Sequence, residues 1–342
     1  MPQSRRKLLQ GLNAHETTHA GLWLDKYIDL SETKITPQAK LVQEVSESIK
    51  VSDVYQSFFD QWKQALENTG AKYEEGQVQG RLAINLGAES ILETSIALHR
   101  TYGTPYLPGS ALKGLSAHYT QNHLDQNQWS KDEPAFRVLF GDENNAGFVT
   151  FFDALFVPGS GYQQKALWPD IITVHHPEYY QASSNPPPPT DWDSPTPIPF
   201  LSATGRYLIA LAGPDEWVKT AFEILNLALK NDGIGAKTSS GYGRIIFGGT
   251  TRPTSSYAEE KRDLLGEIPP SPRIRGTVAG VDGSGRYGYI NPARGGARMF
   301  VHISQITEGE GRLVEGLVVE YQLGKHKGRD QAQNVHILLE PR

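Results

Sequence analysis

The sequence predicts an α+β protein in two parts, a mixed body of helices and strands followed by a smaller β-rich module. Three observations predict it. Apolar residues recur at helical spacing in some stretches, they alternate at strand spacing in others, and a Pro-, Ser- and Thr-rich segment beginning at Thr250 marks a change of composition. At 342 residues the chain exceeds one average domain, which favours two domains or one large domain with an appendage. Residues 1–249 are assigned to the body, 250–272 to a semi-rigid linker and 273–342 to the module.

Along the body, Leu41, Val45 and Ile49, then Phe58, Trp62 and Leu66, keep helical spacing up to Gly70, which predicts two consecutive helices within 36–69. From Val78 to Leu86, Leu82, Ile84 and Leu86 alternate with Arg81, Ala83 and Asn85; this predicts a half-buried strand whose solvent or ligand face carries Arg81 and Asn85. Further strands are predicted at Val149–Phe156 and Tyr207–Ala212. Val218, Phe222, Leu225 and Leu229 share one face of a helix over Glu216–Lys230, before Asn231 and Gly233 stop it. Between Val157 and Pro199 lies a Pro-rich excursion, including Asn185 and the four prolines after it, unfit for regular helix or a central strand. The linker ends Ile268-Pro269-Pro270-Ser271-Pro272, and no fixed-period repeat is visible.

Composition narrows the function classes. With 38% hydrophobic and 21% charged residues and a net charge of -5, the chain reads as an ordinary globular protein, and no apolar run reaches the length of a membrane span. Basic residues near the start are not followed by an apolar signal segment, so a cytoplasmic location is expected. The absence of cysteine excludes disulfides, thiolate metal sites and a Cys nucleophile. From Arg273 onward 10 Lys and Arg stand against 7 Asp and Glu, whereas the preceding residues hold 23 against 31. A basic module on an acidic body suggests two parts with different partners.

One early pattern invites metal chemistry. His15-Glu16-Thr17-Thr18-His19 matches H-E-x-x-H, which on a helix sets two His on one face to hold zinc with Glu as general base, and Asp25, Glu44 or Glu47 would supply a third ligand. The surroundings weaken this. Asn13 to Glu16 fits a capping box, Gly21 follows His19 closely, and Leu22 stands where the extended zinc pattern wants Gly. No cofactor or metal is expected.

Two other motifs point to phosphate. Gly233 to Arg244 reads GIGAKTSSGYGR: Gly233, Gly235, Gly241 and Gly243 free the backbone to approach a ligand and expose amides. Lys237 and Arg244 neutralise phosphate, Thr238, Ser239 and Ser240 add hydroxyls, and Tyr242 offers a ring to a base. The spacing is not that of a Walker A loop, and the bland alternative is a flexible hairpin. In Tyr106 to Gly114, YLPGSALKG, Ser110 reads as an N-cap after Pro108-Gly109; the free amides of the helix start, with Gly109 and Lys113, would suit an anion, against a simple cap with a solvated Lys.

Together these two motifs resemble the RAMP superfamily of CRISPR-associated RNA-binding proteins, and more closely the Cmr-type (type III-B) effector subunit that sits at the 3′ end of the guide RNA. GLWLDKY at Gly21 to Tyr27, the run from Gly87 to Leu107, FFDALF at Phe151 to Phe156, DIITVHHPEYY and PTPIPF agree with it, so the resemblance spans residues 8 to 250. It implies an RRM-like, ferredoxin-related core with helical and loop insertions, whose Gly-rich loop contacts guide RNA, and as partners guide RNA and the other RAMP and backbone subunits. It also implies a non-catalytic component, since target cleavage in such complexes resembles the work of an Asp in a repeated backbone subunit; a guide-processing endoribonuclease is the alternative. Asp153 is then read as capping or satisfying a turn, and His175-His176 as packing or RNA contact.

The module adds a second resemblance. RYGYI at Arg286 to Ile290 and MFVHISQI at Met299 to Ile306, with the EGLVVEYQLG and KGRDQAQNVHIL segments after them, resemble the nucleic-acid-binding motifs of the cold-shock domain. That family implies a five-stranded OB-type β-barrel with aromatics that stack single-stranded RNA or DNA. The matching positions are Tyr287, Tyr289, Phe300 and His302, beside Arg286; each pair, two apart, shares a strand face. Where the family has Lys-Trp-Phe, this chain has Ala279-Gly280-Val281, which removes one stacking platform and one charge.

Overall fold

Where the early helices begin is decided by side chains that reach their unpaired amides. In the computed structural model, which describes residues 12–30, 35–176, 179–180, 185, 187–248, 271–308, 313–326 and 329–339, His19 caps α1 (Ala20–Lys26) by accepting from the Leu22 N–H at 3.1 Å. Thr36 caps α2 (Pro37–Ser48), with Pro37 in the first turn, and Ser52 caps α3 (Asp53–Asn68). The two helices expected within 36–69 are therefore present; they bury Leu41, Val42 and Val45, and Tyr55, Phe59 and Leu66. The capping box expected at Asn13 does not form: residues 15–18 make a turn, and the helix starts only at Ala20 because His19 itself supplies the cap.

β1 (Lys72–Gln79) lies earlier than the strand expected over 78–86. Gly80, at φ +80°, and Asn85, at φ +62°, both leave the extended region, so beyond Gln79 that segment retains only isolated bridges at Leu82 and Ala83, with Leu82, Ala83 and Ile84 all buried. After β2 (Tyr106–Leu107) comes α4 (Gly109–His123), then α5 (Gln126–Trp129) and α6 (Pro134–Phe140). The single strand expected at 149–156 is two, β3 (Thr150–Phe151) and β4 (Ala154–Phe156), interrupted where Asp153 turns to accept from the Gly109 N–H at 2.7 Å. The Pro-rich excursion is more regular than its composition suggests: β5 (Leu167–Val174) and β6 (Thr196–Ala203) form a two-stranded ribbon from Leu167↔Ala203 to Val174↔Thr196. β7 (Arg206–Ala212) and α7 (Asp215–Asn231) lie close to the expected strand and helix, and β8 (Arg244–Phe247), which was not expected, completes the body. The main sheet runs β2-β4-β7-β1-β8, with β3 also on β7. The expected linker lies outside the described residues except for Ser271 and Pro272.

Two compact units result, the first made of Met1–Leu112, Phe152–Ala210 and Asn226–Thr251, the second of Lys113–Phe151, Leu211–Leu225 and Arg252–Arg342. In the first, Tyr55 is fully buried and its hydroxyl donates to the Phe156 carbonyl at 2.6 Å; burial pushes its pKa up. Phe156 and Tyr207 meet edge to face at 6.0 Å, which closes the core beneath the sheet.

The second unit holds the C-terminal sheet: β9 (Ile274–Ala279), β10 (Tyr287–Pro292), β11 (Met299–His302), β12 (Ile306–Glu308), β13 (Val318–His326) and β14 (Arg329–Leu339), ordered β11-β10-β9-β13-β14-β12. Six strand segments are described where five were expected, because a 3₁₀ turn at Ile303–Gln305 separates β11 from β12. Those two are the opposite edges of the sheet, yet only that turn joins them. A flat six-stranded sheet would set its edges about 24 Å apart, further than so short a connection reaches, so the sheet curls onto itself. Alternation drives the same result: Val278, Ile290, Val301, Val319 and Val335 all point into one apolar core. Within this unit Arg137 pairs with Asp330, and Lys325 with Glu133 at 3.2 Å. Among the described residues no helix is long and apolar enough to cross a membrane.

Candidate nucleic-acid interface

The Gly-rich loop bridges the end of α7 and the start of β8, and at two of its glycines a side chain would not fit. A Cβ on Gly243, at φ +73°, would lie 2.0 Å from the Ile234 carbonyl, and one on Gly235, at φ +90°, 2.4 Å from the Ala83 carbonyl. Gly233 and Gly241 also adopt positive φ, as does Lys237 at φ +61°. Much of the loop's backbone is spent on itself and its neighbours: Ile234 N–H donates to Gly243, Ala236 N–H to Ala83 at 2.7 Å, and Gly243 N–H to Arg81 at 2.8 Å. The 3₁₀ turn Thr238–Ser240 is different. Ser239 and Ser240 are exposed, and among the described residues the amides of Lys237, Thr238 and Ser239 have no acceptor and no carboxylate pairs with Lys237. A left-handed residue followed by a helical turn aims successive N–H groups outward, an arrangement suited to an anion.

The two large side chains of this loop have structural work. Arg244 donates to the Asn231 carbonyl, and to that of Thr238 at 3.4 Å, so its guanidinium serves the C-terminal end of α7. Tyr242 is half-buried; its hydroxyl donates to Asp170 Oδ2 at 2.7 Å, and burial together with that carboxylate pushes its pKa up to about 12.

At the second motif, the expectation that Ser110 caps α4 is corrected. The helix already includes Gly109, the Pro108 carbonyl accepts from Ala111 and Leu112, and the Asp153 carboxylate takes the Gly109 amide. The anion that fits this helix start is supplied by the chain itself. Ser110 is exposed and Lys113 half-buried. Asp153 thereby has a capping role, as its sequence context suggested.

On the C-terminal sheet, Tyr287 lies opposite His302 and Tyr289 opposite Phe300, so the four expected residues form one block on one face. Tyr287 and Tyr289 are 47% and 42% exposed. Phe300 stacks with Tyr287 at 6.1 Å and meets Tyr289 edge-on at 6.0 Å. His302 Nδ1 accepts from the Ser304 N–H at 3.2 Å, which orients the ring. Ala279 is paired with Tyr289, and Gly280 turns away at φ +61°, so no ring occupies the place of the family's missing aromatic. Arg286 is exposed beside this block.

Sequence reasoning missed what holds the block in place. Asp282 accepts from the amides of Ser284, Arg286 and Tyr287 and from the Ser284 hydroxyl, and these bonds, that hydroxyl's first, hold its pKa down at about 2. The signal was present in Asp282-Gly283-Ser284-Gly285, a turn sequence. Arg294 and Arg298 were also missed; with Tyr289, Phe300, Lys131 and Asn145 they line a cleft of about 700 Å³ inside the second unit.

The H-E-x-x-H residues do not form a metal-binding face. They lie on a turn; His19 spends Nδ1 on the helix cap and places Nε2 3.1 Å from the Arg100 carbonyl, Glu16 pairs with Lys50, and Glu44 accepts from the Trp23 indole at 2.8 Å. His176 Nδ1 is 2.7 Å from Asp193 Oδ2, whereas the His175 ring lies 6.4 Å away, so the adjacent pair does not converge.

The sequence matches the RAMP superfamily over residues 69–246 and the 'Cold-shock' DNA-binding domain over residues 274–338. It is 32% identical over 251 residues to the CRISPR system Cmr subunit Cmr6 of Pyrococcus furiosus, covering 58% of this chain and 74% of that one. It is 24% identical to the CRISPR system CMR subunit Cmr6 of Saccharolobus solfataricus, covering 64% and 73%. Among solved structures, a chain of the type III-B Cmr-beta complex bound to cognate target RNA is similar at a TM-score of 0.49 and 20% identity, over 61% of this chain and 70% of that one.

Proposed function

The chain belongs to the RAMP superfamily, as a relative of the Cmr6 subunits with a C-terminal cold-shock domain, and from that premise we propose that it is a non-catalytic, RNA-binding subunit of a type III-B CRISPR effector complex. Its body holds the 3′ region of the guide RNA and neighbouring subunits, and its cold-shock domain adds a second grip on single-stranded RNA or DNA. The observation that carries this reading is the tip of the Gly-rich loop, where three unpaired amides, exposed hydroxyls and Lys237 point the same chemistry at an anion.

An RRM-like body is supported by its order: β1, α4, β4, β7, α7 and β8 occur along the chain in the sequence βαββαβ, with other elements inserted between them, and the sheet sets those strands as β8-β1-β7-β4. The curling of the C-terminal sheet supports the OB-type barrel, and the matches at 69–246 and 274–338 support a body ending near 249 and a module from 273. A non-catalytic role is supported by Asp153, whose carboxylate is committed to the start of α4.

The test is binding of guide-like single-stranded RNA at several salt concentrations. Affinity should fall steeply with salt, and Lys237→Ala should reduce the salt slope by about 0.7, the contribution of one phosphate contact on a single strand. Incubation of the protein alone with repeat-containing RNA should leave it intact; discrete cleavage products would favour a guide-processing endoribonuclease instead.

A further inference from the structure

Trp168 stands on the face of β5 that packs toward the Gly-rich loop, and two cations converge on it. The Arg81 guanidinium lies 5.0 Å from the ring centroid and the Lys165 ammonium 5.5 Å from it. Tyr162 packs against the same indole at 5.1 Å while remaining 62% exposed. Neither cation pairs with a carboxylate among the described residues; Arg81 only donates to the Ser202 hydroxyl at 3.0 Å. The nearest acid on that strand face, Asp170, is already committed, one oxygen to the Tyr242 hydroxyl and the other to the Ile171 amide. Two cations beside one ring, neither of them ion-paired among the described residues, attract an anion.

The cluster is built into the loop. Gly243 donates to the Arg81 carbonyl, Tyr242 bonds Asp170 two residues from Trp168, and Phe200, paired with Asp170, packs 6.2 Å from the Tyr242 ring. An exposed aromatic beside cations without an ion pair is the chemistry that recognises a single strand, with phosphate on the cations and a base on the ring.

We propose that Arg81, Lys165 and Tyr162, organised around Trp168, form an additional contact site for single-stranded RNA next to the Gly-rich loop. The proposal rests on the reading of that loop as an RNA contact and extends the track onto the β5–β6 ribbon. The cations take the phosphates of the strand, and a base stacks on the open side of Tyr162.

The test uses the full chain with Tyr162→Ala, Tyr162→Phe, Lys165→Gln and, separately, Lys237→Ala, and measures affinity for guide-like single-stranded RNA across a salt series. Tyr162→Ala should weaken binding about five- to hundredfold, from the usual worth of one stacked base, and Tyr162→Phe should restore it. Lys165→Gln should lower the salt slope by about 0.7. Wild-type affinity and slope in Tyr162→Ala and Lys165→Gln overturn the proposal; a simultaneous loss in Lys237→Ala would leave the loop reading standing. Loss in the first two with Lys237→Ala unchanged supports this site and removes the loop. Unchanged RNA binding with loss of a protein neighbour from the assembled complex also overturns it, by making the cluster a protein contact.

Discussion

Gly243 and Asp153 show how single residues set this site. A Cβ at Gly243 would collide with the Ile234 carbonyl while the backbone stays left-handed, so Gly243→Ala should destabilise the protein by about 1–3 kcal/mol from strain alone, read as a lowered urea midpoint. Asp153→Ala leaves the first amide of α4 unpaired and should cost about 1 kcal/mol, with Asp153→Asn retaining most of it; an equal loss in both would remove the capping role. Both glycine and cap lay in motifs visible in the sequence. Their partners were not: which carbonyl approaches Gly243, or which carboxylate reaches Gly109, is set by residues far apart in the chain.

At the scale of elements, the turn between β9 and β10 carries a pH dependence. The Asp282 carboxyl is held at about 2, below its ordinary 3.8, so the folded state favours the charged form. Its contribution is therefore complete above about pH 4 and disappears as pH falls toward 2. Asp282→Asn should lower the denaturation midpoint at pH 6, and the gap between variant and wild type should narrow as the pH drops through that window; a gap independent of pH would remove the carboxylate from the turn. Helical elements were the most legible, since α2, α3 and α7 each repeat an apolar face. Strands were less so. The 78–86 segment alternates convincingly, but positive φ at Gly80 and Asn85 breaks it, and three consecutive residues become buried from different sides. The β5–β6 ribbon was hidden by its prolines, which an isolated two-stranded ribbon tolerates because its outer amides have no strand to pair with.

At the scale of the molecule, two kinds of grip are expected to respond differently. Removing a stacking ring by Phe300→Ala should reduce affinity for single-stranded RNA by about five- to hundredfold with little change in salt slope, whereas Lys237→Ala should change the slope; equal slopes for both variants would argue against separate ionic and stacking contacts. The sequence by itself determined the mixed class, the two long helices after Thr36, the Gly-rich loop and the paired aromatics at 287, 289, 300 and 302, because each depends on the spacing of neighbouring residues and on what a backbone allows. Only the tertiary structure decided that Arg244 serves a helix end, that Asp153 fills the helix start once assigned to a foreign anion, and that Arg81 and Lys165 share one indole. Those outcomes depend on contacts between residues up to more than eighty positions apart, and periodicity along a chain carries no record of which distant side chain will arrive first.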